Sequence, residues 1–168
     1  MVNKKTVWGV TNIALRLLVI CLVVAALTAL VFAVTKEPIR KGEEKRKAEA
    51  ISLIFADCAT YTEVDFAADG VNALYEVYDA NGALIGRCVD YTGESDYGGD
   101  VNMMIGVGAD GKVTRLQVLS HSETYIARYL DENNCYTGAL LSGGATMSYN
   151  AIQNAIGAIE ALQLGGAV

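Results

Sequence analysis

The 19 residues from Leu17 to Thr35 carry no charged side chain, and this run limits the possible folds more than any other part of the chain. As a helix rising about 1.5 Å per residue it is roughly 28 Å long, close to the hydrocarbon thickness of a bilayer. A cleaved signal peptide is the competing reading, because Lys4, Lys5 and Arg16 form a basic stretch ahead of the run. The run is longer than an ordinary signal core, however, and bulky Val31 and Phe32 stand near its end where a small-x-small cleavage site belongs. Residues 1–35 therefore read as a tail and a retained single-pass transmembrane helix.

Charge divides the rest of the chain. Residues 36–50 alternate Lys36, Arg40, Lys41, Lys45, Arg46 and Lys47 with Glu37, Glu43, Glu44 and Glu49, which predicts an exposed helical stalk with near-neighbour pairs such as Glu43 and Lys47. Residues 51–168 are enough for one domain. There Arg87, Lys112, Arg115 and Arg128 stand against fifteen acidic residues, a net charge near −11, and this excludes a nucleic-acid partner. Counted by the positive-inside rule, the basic stalk places this domain in the cytoplasm. Cys58, Cys88 and Cys135 lack metal-ligand or redox spacing; each reads as a buried thiol, with one disulfide among the three left open.

The first half of the domain alternates at strand period. Ala73 to Tyr78 and Ala83 to Tyr91 flank Asn81-Gly82, and Val101 to Val107 and Lys112 to Ser120 flank Asp110-Gly111. Both dipeptides suit tight turns, so an antiparallel sheet of two hairpins is expected, with Val101, Met103, Ile105 and Val107 on its core face. Gly106 to Gly111 fits the GxGxxG pattern, but a strand follows it where a dinucleotide site needs a helix, so no such site is read there.

Near the C-terminus, Ser142-Gly143-Gly144-Ala145-Thr146-Met147-Ser148-Tyr149-Asn150 opens an amphipathic helix over 151–164, with Ile152, Ala155, Ile156, Ile159 and Leu162 on its apolar face. The fold class is thus α+β. Thr146 and Ser148 sit at the helix start, where free N–H groups and the dipole favour a phosphate and the glycines permit close approach. An ordinary helix cap is the other reading of the same residues, with Ser148 placed as the cap.

Gly-Ala-Thr-x-Ser followed by Asn150-Ala151-Ile152 resembles the flavinylation motif of the FMN-binding domain family. That family includes the G subunit of the Rnf ferredoxin:NAD oxidoreductase and the C subunit of the sodium-translocating NADH:quinone oxidoreductase. The resemblance spans roughly residues 17–159, with Tyr97-Gly98-Gly99 similar to the family's Gly-Tyr-x-Gly loop and His121-Ser122-Glu123-Thr124 similar to its His-x-Glu-Thr segment. It implies covalent FMN esterified through the Thr146 hydroxyl, with Gly144, Ala145 and Ser148 around the attachment and Glu123 and Thr124 at the flavin ring; Tyr125 or a nearby apolar side chain is positioned in sequence to cover the face of the ring. No metal ligand or catalytic residue is implied.

Three departures accompany the resemblance: Leu140 replaces an acidic residue six positions before Thr146, Gly143 replaces a Ser or Thr three before it, and the segment after Thr124 is shortened and reads Tyr125-Ile126-Ala127-Arg128 in place of Pro-Gly-Leu-Gly. The resemblance implies an electron-transport subunit held in the cell membrane among the integral subunits of an Rnf-type, ion-translocating complex, matured by a flavin transferase, with its flavin domain outside the cytoplasm. Two alternatives are a flavin-free assembly subunit of the same fold and a stand-alone extracytoplasmic FMN reductase.

Overall fold

The computed structural model describes residues 4–95, 98–140 and 143–165. The chain divides into two compact units, Met1–Lys45 and Arg46–Val168. Helix α1 comprises Lys4–Ile54. Its apolar stretch, with a mean hydropathy of 3.1, is long and apolar enough to cross a membrane. The two threonine hydroxyls in this stretch leave no unmet polar group, because Thr28 Oγ1 donates to the Val24 carbonyl at 2.9 Å and Thr35 Oγ1 to that of Val31 at 2.6 Å. Beyond it, Arg40 pairs with Glu37 and Glu44, and Lys41 with Glu37. These exposed pairs are worth only about 0.3–0.5 kcal/mol each, enough to favour the helix but not to fix it.

In the second unit, five strands form one antiparallel sheet in chain order: β1 Thr60–Val64, β2 Val71–Tyr78, β3 Leu84–Glu94, β4 Asp100–Val107 and β5 Val113–His121. A 3-10 turn, Ile126–Tyr129, and helix α2, Thr146–Ala161, complete it. The two expected hairpins are present as β2–β3 and β4–β5, and β3 pairs with β4 to join them. Strand β1 is an addition to the expected sheet. Its residues Thr60 to Glu63 are exposed, so this edge strand lacks the apolar alternation that marks the others.

At the hairpin tips only the glycines take positive φ, Gly82 at 79° and Gly111 at 78°, and each β ladder shifts register beside the turn. The turns are therefore longer than a two-residue connection, with glycine in the left-handed position a bulged turn requires. Asp79 braces the first one, its carboxylate accepting from the backbone N–H groups of Asn81 and Ala83 at 2.8 Å each.

Both faces of the sheet are covered. Leu74, Val89, Val101, Met103, Ile105, Val107, Leu116 and Val118 pack with Ile126, Tyr129 and the α2 residues Ala151, Ile152, Ala155 and Ile159. On the opposite face Ala73, Tyr75, Val77, Cys88 and Met104 pack with Ala50, Ile51, Ile54 and Phe55 from the end of α1. Met104, expected on the outward face of its strand, is fully buried because the end of α1 lies over it. Gly86 and Gly106 make this possible: a Cβ at either would collide with Phe55 or Ile54. Cys58, Cys88 and Cys135 are free thiols, and burial pushes all three above the usual thiol range, Cys88 furthest.

One ion pair ties the end of α1 to the sheet. Lys47 Nζ lies 2.8 Å from Asp90 Oδ2, and the Asp90 side chain is only 3% exposed. Asn72 Nδ2 donates to the other oxygen of Asp90 at 3.0 Å and to Thr92 Oγ1 at 2.8 Å. Lys47 thus reaches across to β3, where the stalk pattern placed it beside Glu43. Burial pulls its ammonium pKa down, but hydrogen bonding and charge from Asp90, with a smaller contribution from Tyr75, carry it above the usual value.

Three carboxylates give the domain an acid limit. Asp79 is held below 3.8 by backbone N–H groups, Ala83 first, and Asp131 likewise, Cys135 first. Glu76 is held below 4.5, first by the Tyr78 hydroxyl and then by Arg87. All three bind protons more weakly folded than unfolded, so their stabilisation is complete above the unfolded values and is lost as pH falls through the folded ones. The melting temperature of the detergent-solubilised chain, followed by circular dichroism, is expected to hold from pH 7 to 5 and drop below about pH 4. An unchanged value at pH 3 contradicts this.

Candidate functional site

The end of β5 and the start of α2 meet beside the loop before β4. A cavity of about 380 Å³ is lined by Gly98, Gly99, Ser122, Glu123, Thr124 and Tyr125. A second, of about 160 Å³, is lined by Tyr125, Gly144, Ala145, Thr146, Met147 and Ser148. Tyr125 belongs to both, so two segments separated by about twenty residues of chain contribute to adjoining cavities. The larger falls within the roughly 300–1,000 Å³ usual for organic ligands.

The small cavity has a defined backbone. Gly144 has φ 81°, which a side chain would strain, and a Cβ there would meet nothing, so the turn is open to solvent. Ala145 occupies the cap position of α2 without a side-chain cap hydrogen bond, and Thr146 is the first helical residue. Its side chain is exposed, at a helix start whose first N–H groups lack intrahelical acceptors. Tyr129, buried in the 3-10 turn, donates its hydroxyl to the Ala145 carbonyl at 3.3 Å and fixes the turn from beneath.

Ser148 does not cap the helix. Because α2 begins at Thr146, five residues before the expected start, Ser148 falls inside the first turn with its side chain directed into the protein. Its Oγ donates to Glu123 Oε2 at 2.9 Å, and both residues are buried. This contact joins the two cavities: one Glu123 oxygen is occupied by Ser148, while the residue itself lines the larger cavity. Thr124 is exposed on the rim. His121 ends β5, exposed and outside the lining of both cavities. Tyr97 and Ser142 lie outside the described residues.

Residues 96–159, from just ahead of β4 to the later turns of α2, match the FMN-binding domain family. The match contains every residue lining the two cavities. The chain is also 27% identical over 121 residues to the G subunit of the ion-translocating oxidoreductase complex of Methanosarcina acetivorans. That alignment covers 68% of this chain and 64% of the relative, so the chain spans less than two thirds of the length of that protein.

The cavities suit the two ends of an FMN molecule. The larger offers Glu123, Thr124 and Ser122 as polar partners beside aromatic Tyr125, a mixture that can orient a flat heteroaromatic ring. The smaller offers backbone N–H groups at a helix start and a free hydroxyl, which suit a phosphate. Sequence reasoning missed the wall shared through Tyr125, the support from Tyr129 and the bond between Ser148 and Glu123, none of which has a local sequence signature.

Proposed function

We propose that the chain is a membrane-anchored electron-carrier subunit whose FMN is esterified through its phosphate to Thr146 and whose ring lies in the cavity lined by Glu123, Thr124 and Tyr125. The observation that carries this reading is the exposed Thr146 hydroxyl at the mouth of a small cavity that adjoins a ring-sized one within the FMN-binding domain. Gly144 and Ala145 leave room for the phosphate, and Ser148 holds the turn in place. The flavin would supply reversible electron uptake; the protein supplies attachment, orientation and a set polarity around the ring.

Residues 1–35 form the anchor in this reading, residues 36–50 the stalk and residues 51–168 the flavin domain. The similarity to the G subunit of an ion-translocating oxidoreductase supports assembly with integral membrane subunits of an Rnf-type complex, and covalent attachment requires a flavin transferase. The resemblance favours a domain outside the cytoplasm. The Lys and Arg count opposes it, against which stands the short N-terminal tail, easily held inside with its three basic residues. Purification from membranes after carbonate washing tests the whole reading. Flavin absorbance in the purified chain, together with co-purifying integral subunits, is expected; a flavin-free chain that brings those subunits down is an assembly subunit, and a flavin-bearing chain without them is a stand-alone flavoprotein.

A further inference from the structure

Among the four basic residues beyond position 50, Arg128 stands apart. Arg87 is bound to Glu76 and to the Leu164 carbonyl, and Arg115 to Asp131 and the Leu53 carbonyl. Lys112 is exposed in the turn before β5. Arg128, among the described residues, has no ion-pair partner in a strongly acidic domain, and its guanidinium carbon lies 4.8 Å from the centre of the Tyr125 ring. A cation at this distance is attracted to the aromatic face. Tyr125 is the one residue shared by the linings of the two cavities, so the stack sets a positive charge against a residue that lines the proposed flavin site.

We propose that Arg128 is a positioning residue that sets the flavin potential: it holds Tyr125 against the cavity and favours the reduced ring by its charge. The inference rests on the flavin reading above. Uptake of two electrons and one proton from a reductant leaves the flavin ring with one negative charge more than before, and a nearby guanidinium stabilises that form over the neutral oxidised one. The effect is electrostatic, so it survives exchange of Arg for Lys in sign and weakens with salt. At 1 M ionic strength the screening length falls to about 3 Å.

The test is the midpoint potential of the flavin in the full-length chain, matured with a flavin transferase and titrated with dithionite against a reference dye. Arg128→Met is expected to lower the preference for reduced flavin about fivefold at low salt, a potential ~20 mV more negative for a two-electron couple, and the difference should shrink at 1 M salt. Arg128→Lys should restore most of it. Lys112→Met is the control for net charge, since Lys112 lies beyond the far end of β4, about 23 Å along the strand from the cavity loop. A potential unchanged in Arg128→Met, or an equal change in Lys112→Met, overturns the proposal while leaving the flavin reading intact. A wild-type chain that carries no flavin overturns both.

Discussion

Replacing Thr146 with alanine is expected to abolish covalent FMN altogether. Denatured Thr146→Ala protein should show no flavin fluorescence in a gel and should lack the mass of one FMN less one water. Folding should be almost unaffected, because the Thr146 side chain is exposed and α2 is held by Ala151, Ile152, Ala155 and Ile159 beneath it. Ser148→Ala separates attachment from support. It leaves the hydroxyl of Thr146 in place but strips a hydrogen bond from the buried Glu123 carboxylate, which should cost about 1–3 kcal/mol by chemical denaturation while the flavin stays attached. Fluorescence that persists in Thr146→Ala and vanishes in Ser148→Ala would move the ester to Ser148.

The second large effect lies on the opposite face of the sheet. Lys47→Met should destabilise the domain by about 2 kcal/mol, because it leaves the Asp90 carboxylate, almost wholly buried, without its cation. The expected cost is below that of a fully buried pair because the Lys47 side chain is 34% exposed and part of its charge is already solvated. Asp90→Asn on the Lys47→Met background should recover part of the loss, since an amide can keep a bond to Asn72 and needs no counter-charge. Denaturant melts of the wild type and these two variants in one detergent measure this. A change under about 0.5 kcal/mol in Lys47→Met would mean that Asp90 is adequately solvated without it.

The legible parts of the sequence are those whose physics is local. A bilayer demands a continuous apolar run, so Leu17 to Thr35 can be read in one dimension. Strands β2 to β5 could be read because alternation and turn glycines act over a few residues. Strand β1 could not, since a polar edge strand is specified by its partner rather than by its own pattern. The burial of Met104 depends on Ile54 and Phe55, about fifty positions away, and the pairing of Lys47 with Asp90 spans a similar gap; neither leaves a local mark.

The same holds at the candidate site. Thr146 and Ser148 both fit the chemistry of a helix start, and spacing placed Ser148 as the cap where the structure has Ala145; the partner that draws Ser148 inward is Glu123, 25 positions earlier. That Glu123 and Thr124 lie near the Gly144–Ala145–Thr146 turn was implied by family resemblance and by nothing in the periodicity. The fold brings the two segments to adjoining cavities because β5 ends where the 3-10 turn carries the chain back beneath α2.

Attachment of FMN to this chain is the central claim, and the intact mass of the wild-type protein tests it most directly. The chain, co-expressed with a flavin transferase, FAD and magnesium, purified from membranes and fully denatured, is expected to carry one added FMN less one water, with the added mass on the peptide containing Thr146. An unmodified mass under those conditions would contradict the account, and would mean that Leu140 and Gly143, standing where the family has an acidic and a hydroxyl residue, have removed this chain from the transferase's substrates.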